Sequence, residues 1–400
     1  MRDPLLVAFR TLLILWVGAI LAHFTYVQLV TDWGATAPDW NPANPWHPYY
    51  FGVVNATFVL VPFLLFQLPT ARRYGGWSSS IGRAIITFGV GTVLWGFGNF
   101  FWFWKNVQGE DAPYPSLADA GYLAVLPFAA WSLWELSKVV GVRGRDWLWL
   151  PVALLVAFPL NAWIMLPERL LPGDLSGPEA GTFDTPLAAV ISSTYVLSDV
   201  VLLAVAAIVA IGARRAAGGR FLAPVLAVTA SIVLLYVGDL VFNYRIAKDT
   251  FYNAEVSDLL YGAFIVLSSY AVYLFLAADV RATAATQLAE QRRAQRIDGD
   301  DEDDVVDSQL PLLVALPTAI LRSQERVMGA QSARAVCAGV RGITVDGGVA
   351  RAADLADVDA LVAAYRSLAG PLGEMTCWTA ARSVLVAHPE VRIPAFARFQ

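Results

Sequence analysis

Charge is what this sequence has least of. Only 15% of its 400 residues are Asp, Glu, Lys or Arg, 57% are hydrophobic, and the mean hydropathy is +0.54. Soluble domains carry about 25% charged residues, so the composition excludes a chain that meets water over most of its surface. Lysine is nearly missing. It occurs only as Lys105, Lys138 and Lys248, at the ends of apolar stretches, and this excludes a retinal protein with a mid-helix Schiff base. Of three histidines only His23 lies within an apolar run, and His47 and His388 do not, so paired axial haem ligands are not expected. Cys337 and Cys377 stand apart without a CxxC spacing, so neither zinc nor a disulfide is expected, and both read as small core residues. No P-loop, HExxH or Ser-His-Asp spacing occurs. The expectation is a chain that is not an enzyme, with no cofactor, no metal and no nucleic-acid partner.

What is present is long apolar runs. Eight of them, at about 11–31, 50–69, 83–104, 118–138, 147–166, 187–213, 221–246 and 258–278, approach the roughly 20 residues a spanning helix needs. The predicted fold class is an all-α, polytopic membrane protein. The first run is too long for a cleaved signal peptide and lacks a small-residue cleavage site. Arginine marks alternate connections, "ARRYGGWSSSIGR", "KVVGVRGRD" and "ARRAAGGR", together with both ends of the membrane region. The opposite loops are rich in Asp, Glu, Pro and aromatics. By the positive-inside rule both termini are cytoplasmic, in a plasma membrane. Trp33, Trp40, Trp46, Tyr49, Tyr50, Trp102, Trp104, Tyr244 and Tyr252 form an expected outer aromatic belt. The arginine bias with a pI near 5.3 points to a high-GC or salt-adapted prokaryote.

The chain also repeats itself. "GNFFWFW…YPSLADAGYLAVL" aligns with "GDLVFNY…AEVSDLLYGAFIV", pairing Gly98-Asn99 with Gly238-Asp239, Ser116 with Ser257, Asp119 with Asp258, and Tyr122 with Tyr261. "FGVVN", ending at Asn55, likewise resembles "YVLSD", Tyr195 to Asp199. Two parallel four-span halves are implied, about 1–146 and 147–280. Ser116 and Ser257 are placed as N-caps, with Asp119 and Asp258 in first turns where a carboxylate is favoured. The alternative is a role at the outer mouth. Asp199, roughly 18 Å into its span, has no cation at its depth, and the repeat sets it facing Asn55. With Asp239, Asn99, Asn55, Asn243, Tyr195, Asn161 and His23 it reads either as interhelical glue or as a ligand, ion or proton site.

After the last span, a polar helix and the acidic "DGDDEDDVVDSQ" form a linker over 281–308. Residues 309–400 then show amphipathic spacing in two stretches, separated by "GITVDGGVARAADL", where a hairpin or turn is expected. The Gly370-Pro371 pair splits the second stretch into two helices. This small, mainly helical cytoplasmic module is expected to bind an unknown protein partner or a second copy of the chain.

"GNFFWFW", "YPSLADAGYLAVLPF", "YVLSDVVLL", "GDLVFNY" and "SDLLYGAF", across about 50–280, resemble prokaryotic eight-helix membrane sensor domains. Those sit N-terminal to diguanylate-cyclase, phosphodiesterase or histidine-kinase outputs, and the resemblance implies a signal-receiving membrane module. The tail carries no GG(D/E)EF loop, EAL-type motif or kinase histidine, so enzymatic output does not carry over. Two functions stay open: a sensory, signal-relay or scaffold protein, or an ion- or proton-coupled transporter using Asp199 and Asp239 in the bundle core.

Overall fold

The computed structural model of the chain describes residues 3–30, 59–108, 115–156, 158–159, 186–215, 220–247, 255–296, 311–328 and 330–397. Its N-terminal helical body contains α1 (Pro4–Val30), a π-helical turn (Phe63–Gln67) running into α2 (Leu68–Arg73), and α3 (Ser80–Val107). It continues with α4 (Leu117–Val139), α5 (Pro186–Arg215), α6 (Leu222–Ala247) and α7 (Val256–Arg296). Five stretches are long and apolar enough to cross a membrane: Pro4–Leu29, Ser80–Lys105, Leu117–Val139, Leu222–Phe242 and Val256–Ala284. They coincide with the first, third, fourth, seventh and eighth expected spans. The sixth corresponds to a shorter apolar stretch, Leu197–Ala213, inside the 30-residue α5. Of the second and fifth, only residues 59–69, 147–156 and 158–159 are described, so the eight-span count is not met here. The belt residues Trp33, Trp40, Trp46, Tyr49, Tyr50 and Tyr252, and Asn161, also lie outside the described residues.

Sequential helices pair: α3 with α4 and α6 with α7, with α5 against both α4 and α6. α1 lies along α7, where Phe9 stacks on Phe66 at 4.4 Å and meets Tyr273 edge-on at 6.1 Å. Large apolar side chains such as Ile14, Leu15, Leu155 and Ile211 remain exposed on the outside of this body. An uncovered apolar surface of that extent suits lipid. At the arginine-bearing end, Arg73 reaches Asp3 at 2.9 Å and Asp279 at 3.2 Å, tying the start of α1 to α7. Burial pushes the Asp3 carboxyl up. The Arg73 hydrogen bond and charge, with the N–H groups of Leu5 and Leu6, outweigh this and leave it below its ordinary value.

The C-terminal module comprises α8 (Leu312–Met328), α9 (Ala330–Ala338), the hairpin β1 (Ile343–Asp346) and β2 (Val349–Ala352), α10 (Leu355–Ala369) and α11 (Pro371–Leu385). The first amphipathic stretch is thus two helices, α8 and α9. The hairpin turns on Gly347 and Gly348, both at positive φ (54° and 87°), as a type I′ turn requires. Thr318 Oγ1 exchanges two 3.0 Å hydrogen bonds with the backbone of Ala350 and so fastens β2 to α8. Cys337 and Cys377 are free, buried thiols. Burial pushes Cys337 up to about 12 and Cys377 higher still.

The module does not hang from its linker. It sits on the arginine-bearing end of the bundle, touching three turns. Gly75 approaches Pro371 and Gly370, and Gly370 lies so close to the Tyr74 carbonyl that no Cβ would fit. Gly141, just beyond α4, packs on Ser332 of α9. The Arg220 N–H, ahead of α6, donates to the Val327 carbonyl at 2.7 Å. Tyr74 anchors this end, donating to the Phe275 carbonyl at 2.7 Å between the rings of Phe221 and Phe275. Val386 is the module's one large apolar residue left exposed among the described residues.

Candidate functional site

Polar residues of the helical body gather into two sets rather than lying as scattered points. Ser116 caps α4: its Oγ accepts from the Ala118 N–H at 3.1 Å, and Asp119 Oδ2 accepts from the Ser116 N–H at 2.6 Å. That reciprocal box satisfies donors the helix start would leave open. Asp119 also accepts, through Oδ1, the Tyr195 hydroxyl of α5 at 3.0 Å, so it is both a cap and a cross-helix contact. One turn on, the Tyr122 hydroxyl donates to Asn99 Oδ1 of α3 at 3.2 Å. The ring lies against Gly98, where a Cβ would come within 2.8 Å of it, and Gly121 meets the backbone of Leu94 and Gly98. These small positions let α3 and α4 approach until the phenol reaches Asn99.

α6 and α7 carry a similar contact. The Tyr261 hydroxyl of α7 donates to Asp239 Oδ1 of α6 at 2.7 Å, and its ring edge lies 2.8 Å from a Cβ placed on Gly238. The entrance to the helix differs. Ser257 is not an N-cap, because α7 begins at Val256 and Ser257 is already inside it. Its hydroxyl donates instead to Glu255 Oε1 at 2.6 Å, and Arg245 pairs with the other oxygen of Glu255 at 3.0 Å. An ion pair over a fully buried carboxylate replaces the Ser–Asp box, and Asp258 lies half-buried in the first turn. Where the first half has Gly121, the second has Leu260, so that crossing lacks the glycine-to-glycine approach.

α5 runs past both sets. Tyr195 and Asp199, one turn apart, share a face of the helix. Tyr195 reaches Asp119 of α4, and the Asp199 carboxyl lies beside that of Asp239 of α6. Among the described residues the carboxyl beside Asp199 is thus that of Asp239, while Asn55, the neighbour expected from the repeat, lies outside the described residues. A second bridge is aromatic: Trp95 of α3 lies 6.0 Å from the Tyr122 ring and 5.8 Å from the Tyr261 ring.

Tyr122, Asn99, Asp119 and Tyr195 are therefore brought together, as are Tyr261, Asp239 and Asp199. His23 comes from a different helix. It lies on α1, three residues beyond Ile20, whose side chain packs on Gly262. Asn243 is within α6, and its side chain is outside the described residues. Trp95, Glu255 and Arg245 were not anticipated. Of these, the Arg245–Glu255 pair had a visible signal, two opposite charges bracketing a loop with few basic residues. Among the described residues no group of three His, Cys, Asp or Glu could hold a metal ion. No family model, curated protein or solved structure matches the chain.

Proposed function

We propose that this chain is a signal-relay protein of the plasma membrane, with eight spans in two four-span halves and both termini cytoplasmic. A small-molecule or membrane signal alters the polar set around Tyr195, Asp199, Asp239 and Tyr261, and the C-terminal module receives the change. One observation carries the reading: α7 runs unbroken from Tyr261 in the polar core, past the Arg73–Asp279 pair, to Arg296. The module it leads to rests on three turns of the same bundle. The paired Tyr122–Asn99 and Tyr261–Asp239 contacts support the repeat, and the resemblance to eight-helix sensor domains agrees with the whole.

The test is a distance measurement on the full chain, with spin labels at Arg145 and Val386, both exposed. Tyr261→Phe removes one hydroxyl in the core and should shift or broaden the distance distribution. An unchanged distribution in both Tyr261→Phe and Asp239→Asn, with both proteins folded, would refute the relay. Orientation is tested separately: a cysteine at Val142 should resist an impermeant reagent in intact cells, while one at Pro178 should react.

The neighbouring Asp199 and Asp239 carboxyls favour a second reading, a proton-coupled carrier that uses the two as its proton site. Asp199→Asn keeps hydrogen bonding but removes titration. Unchanged proton flux in vesicles carrying Asp199→Asn would eliminate this reading.

A further inference from the structure

We infer that the arginine-bearing end of α4 carries a binding site for an anionic lipid headgroup of the inner leaflet. The inference rests on the cytoplasmic orientation proposed above. Trp131, Trp134 and Lys138 recur at three- and four-residue spacing and so share one face of α4. Trp131 and Trp134 stay 43% and 49% exposed with the module in place, so neither the bundle nor the module covers them. Each indole is buttressed from a flanking turn: Trp77 meets Trp131 edge-on at 5.5 Å, and Trp147 meets Trp134 at 5.2 Å. Lys138 Nζ stands over the Trp134 ring at 5.6 Å.

The floor of this surface is built. Glu135, almost fully buried, accepts Arg83 on one oxygen and Lys138 on the other, each at 2.9 Å. Arg83 also donates to the Trp77 carbonyl at 3.0 Å, which holds that indole in place. One carboxylate therefore faces two cations. Just past α4, Arg143 and Arg145 are exposed and have no ion-pair partner among the described residues. Exposed indoles belong at headgroup level, and cations beside them attract the anionic lipids of the cytoplasmic leaflet. Guanidinium forks suit a phosphate, and the outward face of α4 lies open to its acyl chains. A zwitterionic lipid would use the indoles alone and leave the excess cations without a partner.

The experiment uses the purified full chain in neutral micelles, with bound lipid counted by native mass spectrometry. Phosphatidylglycerol should be retained in preference to phosphatidylcholine. The double variant Arg143→Gln/Arg145→Gln should lose roughly thirtyfold in phosphatidylglycerol affinity, with phosphatidylcholine unaffected. Arg143→Lys/Arg145→Lys should keep most of it, which separates charge from folding. Equal retention of the two lipids by the wild type would overturn the site, as would an undiminished preference in the Gln variant. Displacement of the lipid by a soluble acidic peptide would assign the surface to a protein instead. Labelling of position 142 from outside the cell, with the lipid preference intact, would refute the orientation and leave the anion site standing.

Discussion

Replacing Gly370 with alanine should unseat the C-terminal module. Gly370 has φ 61° and ψ −142°, a conformation open to glycine and costly to other residues by about 1–3 kcal/mol. A methyl group there would also overlap the carbonyl of Tyr74. That carbonyl is backbone, and it is held on its far side by the Ser79 hydroxyl. It cannot swing aside as a flexible side chain could, so the two turns must part. Separation forfeits the Gly75–Pro371 contact and strains its neighbour, the Arg220–Val327 hydrogen bond, worth about 1 kcal/mol. Gly347→Ala is the control. It too has positive φ, 54°, but nothing lies near its added methyl, so it feels the strain without the overlap. With labels at positions 145 and 386, Gly370→Ala should lengthen and broaden the distance, and Gly347→Ala should leave it as in the wild type. A wild-type distance in Gly370→Ala would show that the turns are not in contact, and the docking argument would fall.

Three further outcomes follow from other contacts. Asp119→Leu removes the acceptor of both the Ser116 N–H and the Tyr195 hydroxyl and should cost about 1–3 kcal/mol in detergent melting, whereas Asp119→Asn, which keeps one acceptor, should cost under about 1. Asp3 has its folded value depressed by Arg73, so its stabilisation is complete above its ordinary value of 3.8 and is lost as pH falls through the lower folded value; Asp3→Asn should flatten that acid limb of a stability-against-pH curve, and an unaltered limb would contradict the pairing. Cys337 and Cys377 are buried, with thiols pushed far above neutral pH, so maleimide at neutral pH should modify neither until the module unfolds, and prompt labelling of the native protein would count against the packing.

Much of the architecture is legible in the chain because apolar length and arginine placement are one-dimensional properties. Ser116-x-x-Asp119 reads as a cap for the same reason: its partners lie three residues apart. The same pattern misleads at Ser257, because a buried carboxylate two residues earlier, Glu255, pairs with Arg245 and takes over the helix start. The partner of Asp199 depends on how α5 is rotated against α6, and no local spacing encodes that rotation. Trp95 hides among fourteen tryptophans, and only the crossing of α3 with α4 and α7 sets it between two tyrosines. Docking of the module is the least legible feature. Gly75-Gly76 and Gly370-Pro371 each read as a turn, and nothing in either stretch announces that one glycine makes room for the other's backbone.

The Arg73–Asp279 pair divides α7 in a way that bears on mechanics. At 1.5 Å per residue, Tyr261 lies about 27 Å from Asp279 on one side and Arg296 about 26 Å from it on the other. A stiff rod held near its middle is a balanced beam. A sideways displacement of the Tyr261 end appears at Arg296 with nearly equal size and opposite sense, neither amplified nor damped. Because the pivot is an ion pair shared with Asp3, the position of the first helix sets where the beam is held.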